Sequence, residues 1–317
     1  MSRNALSAIL SELRVSGAIV LSQAHPIPWS IRVPAGNSLR TQLNVDNSVT
    51  VVPFHIARRG HFDFCSADGE SIVVQANQLV MCANGNGHVM SSGQATKTQS
   101  FEQVMSAGSF DPDPGPLGST EIICGVFMLR NTRHNPLIDA LPSLVKIDIS
   151  GAGSSSTMQK LNSMLIEELE LSRHGQSYML ERVLEMLYAE SIRLYTESCG
   201  EFTPNWLSAI NDERIGKAIN YIHANLAQSI TIDDLAGHVA LSPSRFSACF
   251  RHLVGVSPKS YIVAQRQAMA ANRLLSSGLS IQQVADECGY RSMPSFTKAF
   301  IRQHGMTPSQ WRLQQRK

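Results

Sequence analysis

The C-terminal third of the chain is written twice. IDDLAGHVALSPSRFSACFRHLVGVSPKSY, from Ile232, lies over IQQVADECGYRSMPSFTKAFIRQHGMTPSQW, from Ile281. Ile232, Leu235, Ala236 and Val239 recur as Ile281, Val284, Ala285 and Cys288 at a separation of 49. Phe246, Phe250, Gly255, Pro258 and Tyr261 recur as Phe296, Phe300, Gly305, Pro308 and Trp311 at a separation of 50, so the second copy holds one extra residue at its turn. A repeat of this kind constrains the fold before any residue-level argument is made.

Each copy reads as a helix, a tight turn and a second helix, spanning 232–253 and 281–303. The first helix presents apolar residues at i, i+3 and i+4, and its small residue, Ala236 or Ala285, admits a closely crossing neighbour. Ser242 and Ser292 are N-caps of the second helices, with Pro243 at the first helical position and Pro294 inside the first turn, where a missing N–H costs nothing. The i,i+4 pairs Phe246/Phe250 and Phe296/Phe300 anchor those helices to a core. Their opposite faces are therefore free: Ser244, Arg245, Ser247, Ala248 and Arg251 in one copy, Met293, Ser295, Thr297, Lys298 and Arg302 in the other. Between the copies, KSYIVAQRQAMAANRLLSS has neither Gly nor Pro and predicts one helix ended by Gly278. At about 1.5 Å per residue it spans roughly 27 Å, near the ~34 Å of one turn of B-DNA once helix widths are added.

Charge agrees with this placement. Residues 211–317 carry 13 Lys+Arg against 6 Asp+Glu, net +7, whereas the remaining residues carry 14 against 19, net −5. A basic third on a mildly acidic body points to a polyanionic partner for that third.

At these residues the sequence resembles the AraC/XylS family of bacterial transcription regulators, whose hallmark is a paired helix-turn-helix of about this length. GYRSMPSFTKAFIRQHGMTPSQWR is very similar to the family signature. The resemblance implies double-stranded DNA and RNA polymerase as partners. It implies base contacts from Ser244, Ser247, Ala248, Met293, Ser295, Thr297 and Lys298. Phosphates would be held by Arg245, Arg251, Arg291, Lys298, Arg302 and the helix N-termini at Ser242 and Ser292. Small residues on the first recognition helix leave Arg245, Ser247 and methyl contacts to supply its readout.

From Ile19 to about Ile149 the pattern changes to short β-rich runs, among them WSIRV, VTVVPFHIA, HFDFC, SIVVQ and EIICGVFML, separated by Gly, Pro and Asn. Many short strands predict a barrel or sandwich. The order of the runs resembles the cupin-like N-terminal domain of one branch of the same family, although Asn77-Gln78 stand where the cupin pattern has Gly-Asp. The fold class expected is α+β: an N-terminal cupin-like β-barrel with helices (1–150), a helical segment (157–205) and a C-terminal all-α double helix-turn-helix domain (211–317). Trp29, Phe54, His55, His61 and His88 are candidates to line an effector pocket, or are ordinary core and rim residues. Arg58 and Arg59 pair with an anionic effector or lie on a surface turn. Two helices are expected at 157–173 and 176–198. Leu161, Leu165, Leu169, Leu180, Val183, Leu184, Leu187, Tyr188 and Ile192 give them apolar faces, either for packing on the barrel or for dimerisation. GAGSSST (Gly151–Thr157) and GEFTPNW (Gly200–Trp206) read as connectors.

The function expected is a sequence-specific DNA-binding transcription regulator, an activator and homodimer controlled through its N-terminal domain by a small-molecule effector or by dimerisation. Two alternatives are a metal-dependent cupin enzyme fused to a DNA-binding domain and an effector-independent orphan regulator. No cofactor or metal is expected, since His55 and His61 are six apart and no Glu stands at a matching place. GxSxG, GxxxxGK[ST] and a strand-linked GxGxxG are absent, so no enzyme is expected. Six scattered cysteines without a CxxC pair, no signal-type apolar run and no membrane-length apolar segment predict a cytoplasmic chain away from the membrane.

Overall fold

A computed structural model of the chain describes residues 4–107, 118–130, 132, 135–150, 155–171, 173–198 and 205–314. Most of both expected connectors, Gly151–Ser154 and Gly200–Pro204, lies outside the described residues, as does Cys199. Two compact units are present. One comprises Arg14–Arg130 and Leu141–Ser198; the other comprises Met1–Leu13, Asn131–Ala140 and Cys199–Lys317. This division differs from the expected boundaries in three ways. The helical segment after the barrel belongs with the barrel, whereas the N-terminal helix α1 (Ala5–Glu12) and the segment Asn131–Ala140 belong with the C-terminal helices.

The first unit contains β1 (Val15–Pro26), β2 (Trp29–Val33), α2 (Gly36–Gln42), β3 (Thr50–Arg59), β4 (His61–Ser66), β5 (Ser71–Gln75), β6 (Gln78–Met81), β7 (His88–Ser92) and β8 (Gln99–Ser100). Helix α3 (Phe101–Ser106) and strand β9 (Ser119–Leu129) follow; then, after α4 (Pro136–Ala140) of the other unit, β10 (Val145–Asp148), α5 (Ser156–Glu170) and α6 (Gln176–Ser198). The strands form two five-stranded sheets, ordered β1-β9-β3-β6-β10 and β5-β4-β7-β2-β8. A shared core of Leu21, Ile31, Val51, Phe62, Phe64, Val80, Met90 and Ile122 fills the space between them.

Helix α6 covers the outer face of the first sheet. Val183, Leu184, Leu187, Tyr188 and Ile192 are buried, and Tyr188 meets Phe127 edge-on at 5.1 Å, with Phe127 stacked on Phe54 at 4.4 Å. At Gly17 of β1 a Cβ would stand 2.6 Å from the Cβ of Leu184, so glycine is what lets this helix close on the strand. Burial on both faces explains why β3 and β9 read as continuous apolar runs while β4, covered on one side, alternates.

In the second unit, α7 (Trp206–Asn211) and α8 (Glu213–Ala224) lead into α9 (Ile232–His238), α10 (Pro243–Val254), α11 (Pro258–Ser276), α12 (Ile281–Glu287), α13 (Met293–His304) and α14 (Pro308–Gln314). Capping residues set the boundaries of the duplicated pairs. Thr231 and Ser280 form capping boxes with Asp234 and Gln283, Ser242 and Ser292 cap the second helices, and Gly255 and Gly305 close them in the left-handed conformation. The linking helix α11 ends at Ser276, and extended Ser277 rather than Gly278 supplies its C-cap.

Candidate nucleic-acid interface and barrel interior

Phe246, Phe250, Phe296 and Phe300 have no solvent exposure. In each copy the second Phe meets an aromatic of the following helix, Phe250 to Tyr261 at 5.6 Å and Phe300 to Trp311 at 6.0 Å, both edge-on. Tyr261 is further fixed by the Trp206 indole N–H, which donates to its hydroxyl at 2.8 Å, and by His223 Nε2 at 2.8 Å. Burial pushes His223 down to about 4, so its ring is neutral and accepts the tyrosine proton.

With these side chains inward, one face of α10 and of α13 is left to solvent. Ser242, Ser244, Arg245, Ala248, Arg251, Arg291, Ser292, Ser295, Lys298 and Arg302 are exposed, and Ser247 and Thr297 are half-buried at the helix flank. Met293 departs from its expected role as a free reading residue: half-buried, it packs against the core formed by Val284, Ala285, Cys288 and Phe296. Two hydroxyls are engaged within the helices. Ser242 accepts from the Arg245 N–H and Ser292 from the Ser295 N–H, both at 3.4 Å. Lys217 pairs with Glu213 and Arg273 with Glu287, and Arg266 and Arg312 donate to backbone carbonyls. Among the described residues Arg245, Arg251, Arg291, Lys298 and Arg302 make no ion pair, and neither do Arg214 and Lys259 elsewhere on the unit. Helix N-termini and unpaired cations on one face suit phosphate oxygens.

The barrel does not assemble the expected pocket as one set. His55 and His88 are buried and adjacent, with Nε2 atoms 2.7 Å apart and Phe64 stacked on His88 at 4.5 Å. Trp29, also in the core, neighbours His25 at 5.2 Å and Phe62 at 6.1 Å. Phe54 is corrected to the opposite face of β3, where it joins Phe127, because adjacent strand residues point to opposite sides. His61 is corrected to an exposed position, since Phe62 and Phe64 take the inward places of β4. Arg58 is ion-paired with Glu121 at 2.7 Å and Glu170 at 2.8 Å. Sequence reasoning missed Cys82, whose Sγ is 3.4 Å from His88 Nδ1, and Cys124, paired with His55 across β3 and β9. Strand parity in PFHIA separates Phe54 from His55, and the alternation of HFDFC, with Phe62 and Phe64 inward, turns His61 out; Cys124 is set beside His55 by strand pairing and Cys82 beside His88 by the approach of the two sheets. Among the described residues no group of three or more His, Cys, Asp or Glu side chains is placed to hold a metal ion.

Residues 4–197 match the family model described as cupin, and residues 235–314 match that of a helix-turn-helix domain. The chain is 27% identical to the HTH-type transcriptional regulator AlkR of Acinetobacter baylyi over 269 residues, 82% of this chain and 87% of that protein. It belongs to the AraC-type regulators with a cupin N-terminal domain. The regulator is also 27% identical to a putative AraC-like transcription regulator of Streptomyces lividans, across 60% of its own length and 62% of that protein. Among solved structures it resembles the DNA-binding domain of AdpA in complex with a target DNA, with 28% identity, 33% of this chain and 95% of that one covered, and a TM-score of 0.32. It is a DNA-binding transcription regulator. Among the described residues no helix is long and apolar enough to cross a membrane.

Proposed function

We propose that the regulator is a cytoplasmic, sequence-specific activator that reads two successive major-groove segments with α10 and α13 and acts on RNA polymerase. The observation that carries this reading is that five exposed cations without an ion pair among the described residues lie on the faces of those two helices and the turn that enters α13. Phosphate contacts from Arg245, Arg251, Arg291, Lys298 and Arg302 position the heads, and Ser244, Ser247, Ala248, Ser295 and Thr297 face the base edges. No catalytic role is assigned to the barrel. Footprinting of the full chain on genomic fragments tests the proposal: two protected patches about one helical turn apart support it, and uniform salt-sensitive retention of every fragment removes the sequence-specific part.

Control through the barrel fits self-association better than an effector held among the five expected residues. On α6, Tyr178, Met179 and Met186 are exposed, at 66% and 53% for the first and last, and α5 adds Met164. A second copy covering this stripe would make the regulator a dimer, with the active fraction set by a population shift. Sedimentation of wild type and Met186→Glu separates the two readings, since loss of dimer in the variant is expected only for self-association through this face.

A further inference from the structure

The two helix-turn-helix copies repeat the same turn, yet only one turn contains glycine. Ala240 in the first copy and Gly289 in the second stand at equivalent places, and both are left-handed, with φ of 53° and 77°. A left-handed φ therefore does not by itself explain Gly289. The surroundings do: a Cβ there would lie 2.8 Å from the Leu226 carbonyl oxygen, 3.0 Å from that of Ala227 and 3.0 Å from Arg266 Cζ. Leu226 and Ala227 belong to the loop that enters the first copy, so the turn of the second copy is pressed against the entrance of the first.

Arg266 of α11 occupies this junction. Its Nε donates to Leu226 O at 2.9 Å and its Nη2 to Gln228 O at 2.5 Å, gripping the loop before α9. The same guanidinium lies over the Tyr290 ring, 6.0 Å from the centroid. The next residue of α11, fully buried Gln267, donates its amide N–H to the Tyr290 hydroxyl at 2.5 Å, and Tyr290 in turn meets Phe296 of α13 edge-on at 5.3 Å. The path Leu226/Gln228, Arg266, Tyr290, Phe296 thus runs from the entrance of one reading head to the recognition helix of the other. The copies would otherwise be joined chiefly by a single helix. A planar guanidinium with two fixed donors and a stacked ring resists both sliding and twisting, which a lysine ammonium would not.

We infer that Arg266 is a positioning residue that sets the spacing and twist of the two reading heads, and with them the separation of base-pair boxes the regulator accepts. The inference rests on the reading of α10 and α13 as paired heads. One inserted base pair moves a box by about 3.4 Å and rotates it by about 35°, a mismatch that a rigid pair of heads rejects.

The test uses the full chain. Selection from a randomised duplex library defines the bipartite site, and binding is then measured on that site and on versions with one base pair added or removed between the boxes. Wild type is expected to prefer the selected spacing about tenfold. Arg266→Gln is expected to reduce that preference to about twofold or less while binding a single box as wild type does; Arg266→Lys, which keeps the charge but not the two fixed donors, should lower it in the same direction and serves if Arg266→Gln fails to fold. A general loss of stability lowers the active fraction equally for every spacing and leaves the ratio unmoved. A wild-type ratio in either folded variant overturns the inference. A wild-type protein that enriches no duplex instead overturns the DNA-reading assignment beneath it.

Discussion

His55 and His88 approach Nε2 to Nε2 at 2.7 Å inside the barrel, so one ring donates and the other accepts. Asn86 O, 3.3 Å from His88 Nδ1, takes the proton of that nitrogen. His88 Nε2 is then the acceptor and His55 Nε2 the donor, which leaves His55 Nδ1 as a bare acceptor, a buried atom without a hydrogen-bond partner among the described residues. Both rings are neutral in this arrangement.

Acid should therefore loosen the barrel. Burial pushes His88 down to about 4 against the opposing pull of the Asn86 carbonyl, and burial first, then the neighbouring His88, holds His55 well below its ordinary value. The unfolded chain binds these protons near pH 6.5, so the stability is complete above that pH and is lost as pH falls toward 4, by about 3 kcal/mol for His88. Urea unfolding at pH 7.5, 6 and 5 should show this loss, with a shallower dependence in His88→Gln. Equal slopes in the two proteins would place the titration elsewhere.

On α13 two apolar residues separate core from surface. Phe296→Ala should cost about 3–5 kcal/mol because the ring has no solvent exposure, whereas exposed Ile301→Ala should change stability by less than about 0.5 kcal/mol. Thermal melts of the two variants check the assignment, and similar melting temperatures would contradict it.

Lys298 is exposed on the same helix and forms no ion pair among the described residues. If it neutralises one phosphate, Lys298→Ala weakens binding to all duplexes alike and lowers the slope of log K against log salt by about 0.9. An unchanged slope with unchanged affinity would remove this ammonium from the interface.

Among the described residues the hydroxyl of Tyr188 is buried without a hydrogen-bond partner while its ring packs on Phe127. Tyr188→Phe keeps the ring and removes the stranded polar atom, so denaturant unfolding should show a gain of about 1 kcal/mol. Destabilisation by the variant would mean that the hydroxyl has a partner in solution.

Much of the fold was legible in the chain. Helix period, capping serines and the doubled Phe spacing placed both helix-turn-helix pairs within a residue or so, because each signal is local. Strand runs were equally visible, except β7 and β8, whose HVMSS and QS carry too little apolar pattern to stand out. The interior histidines were found but grouped wrongly: Phe54 and His61 lie near His55 along the chain while strand pleat turns them away from it. The N-terminal helix was not foreseen as part of the C-terminal unit. Its Ala5 N–H finds Asn220 Oδ1 at 2.6 Å, across a separation of 215 residues that no periodicity encodes.

Sequence alone was enough to establish a duplicated, basic, twice-capped helical unit with its aromatic pairs turned inward, since spacing and side-chain chemistry act within a few turns of backbone. Folding in three dimensions chose the partners: which imidazoles share a proton, which arginines keep free charges, and how Arg266 wedges between the copies. Those outcomes depend on strand register and on loops meeting from distant places in the chain, where a hydrogen bond forms only if two remote backbones arrive within about 3 Å of one another.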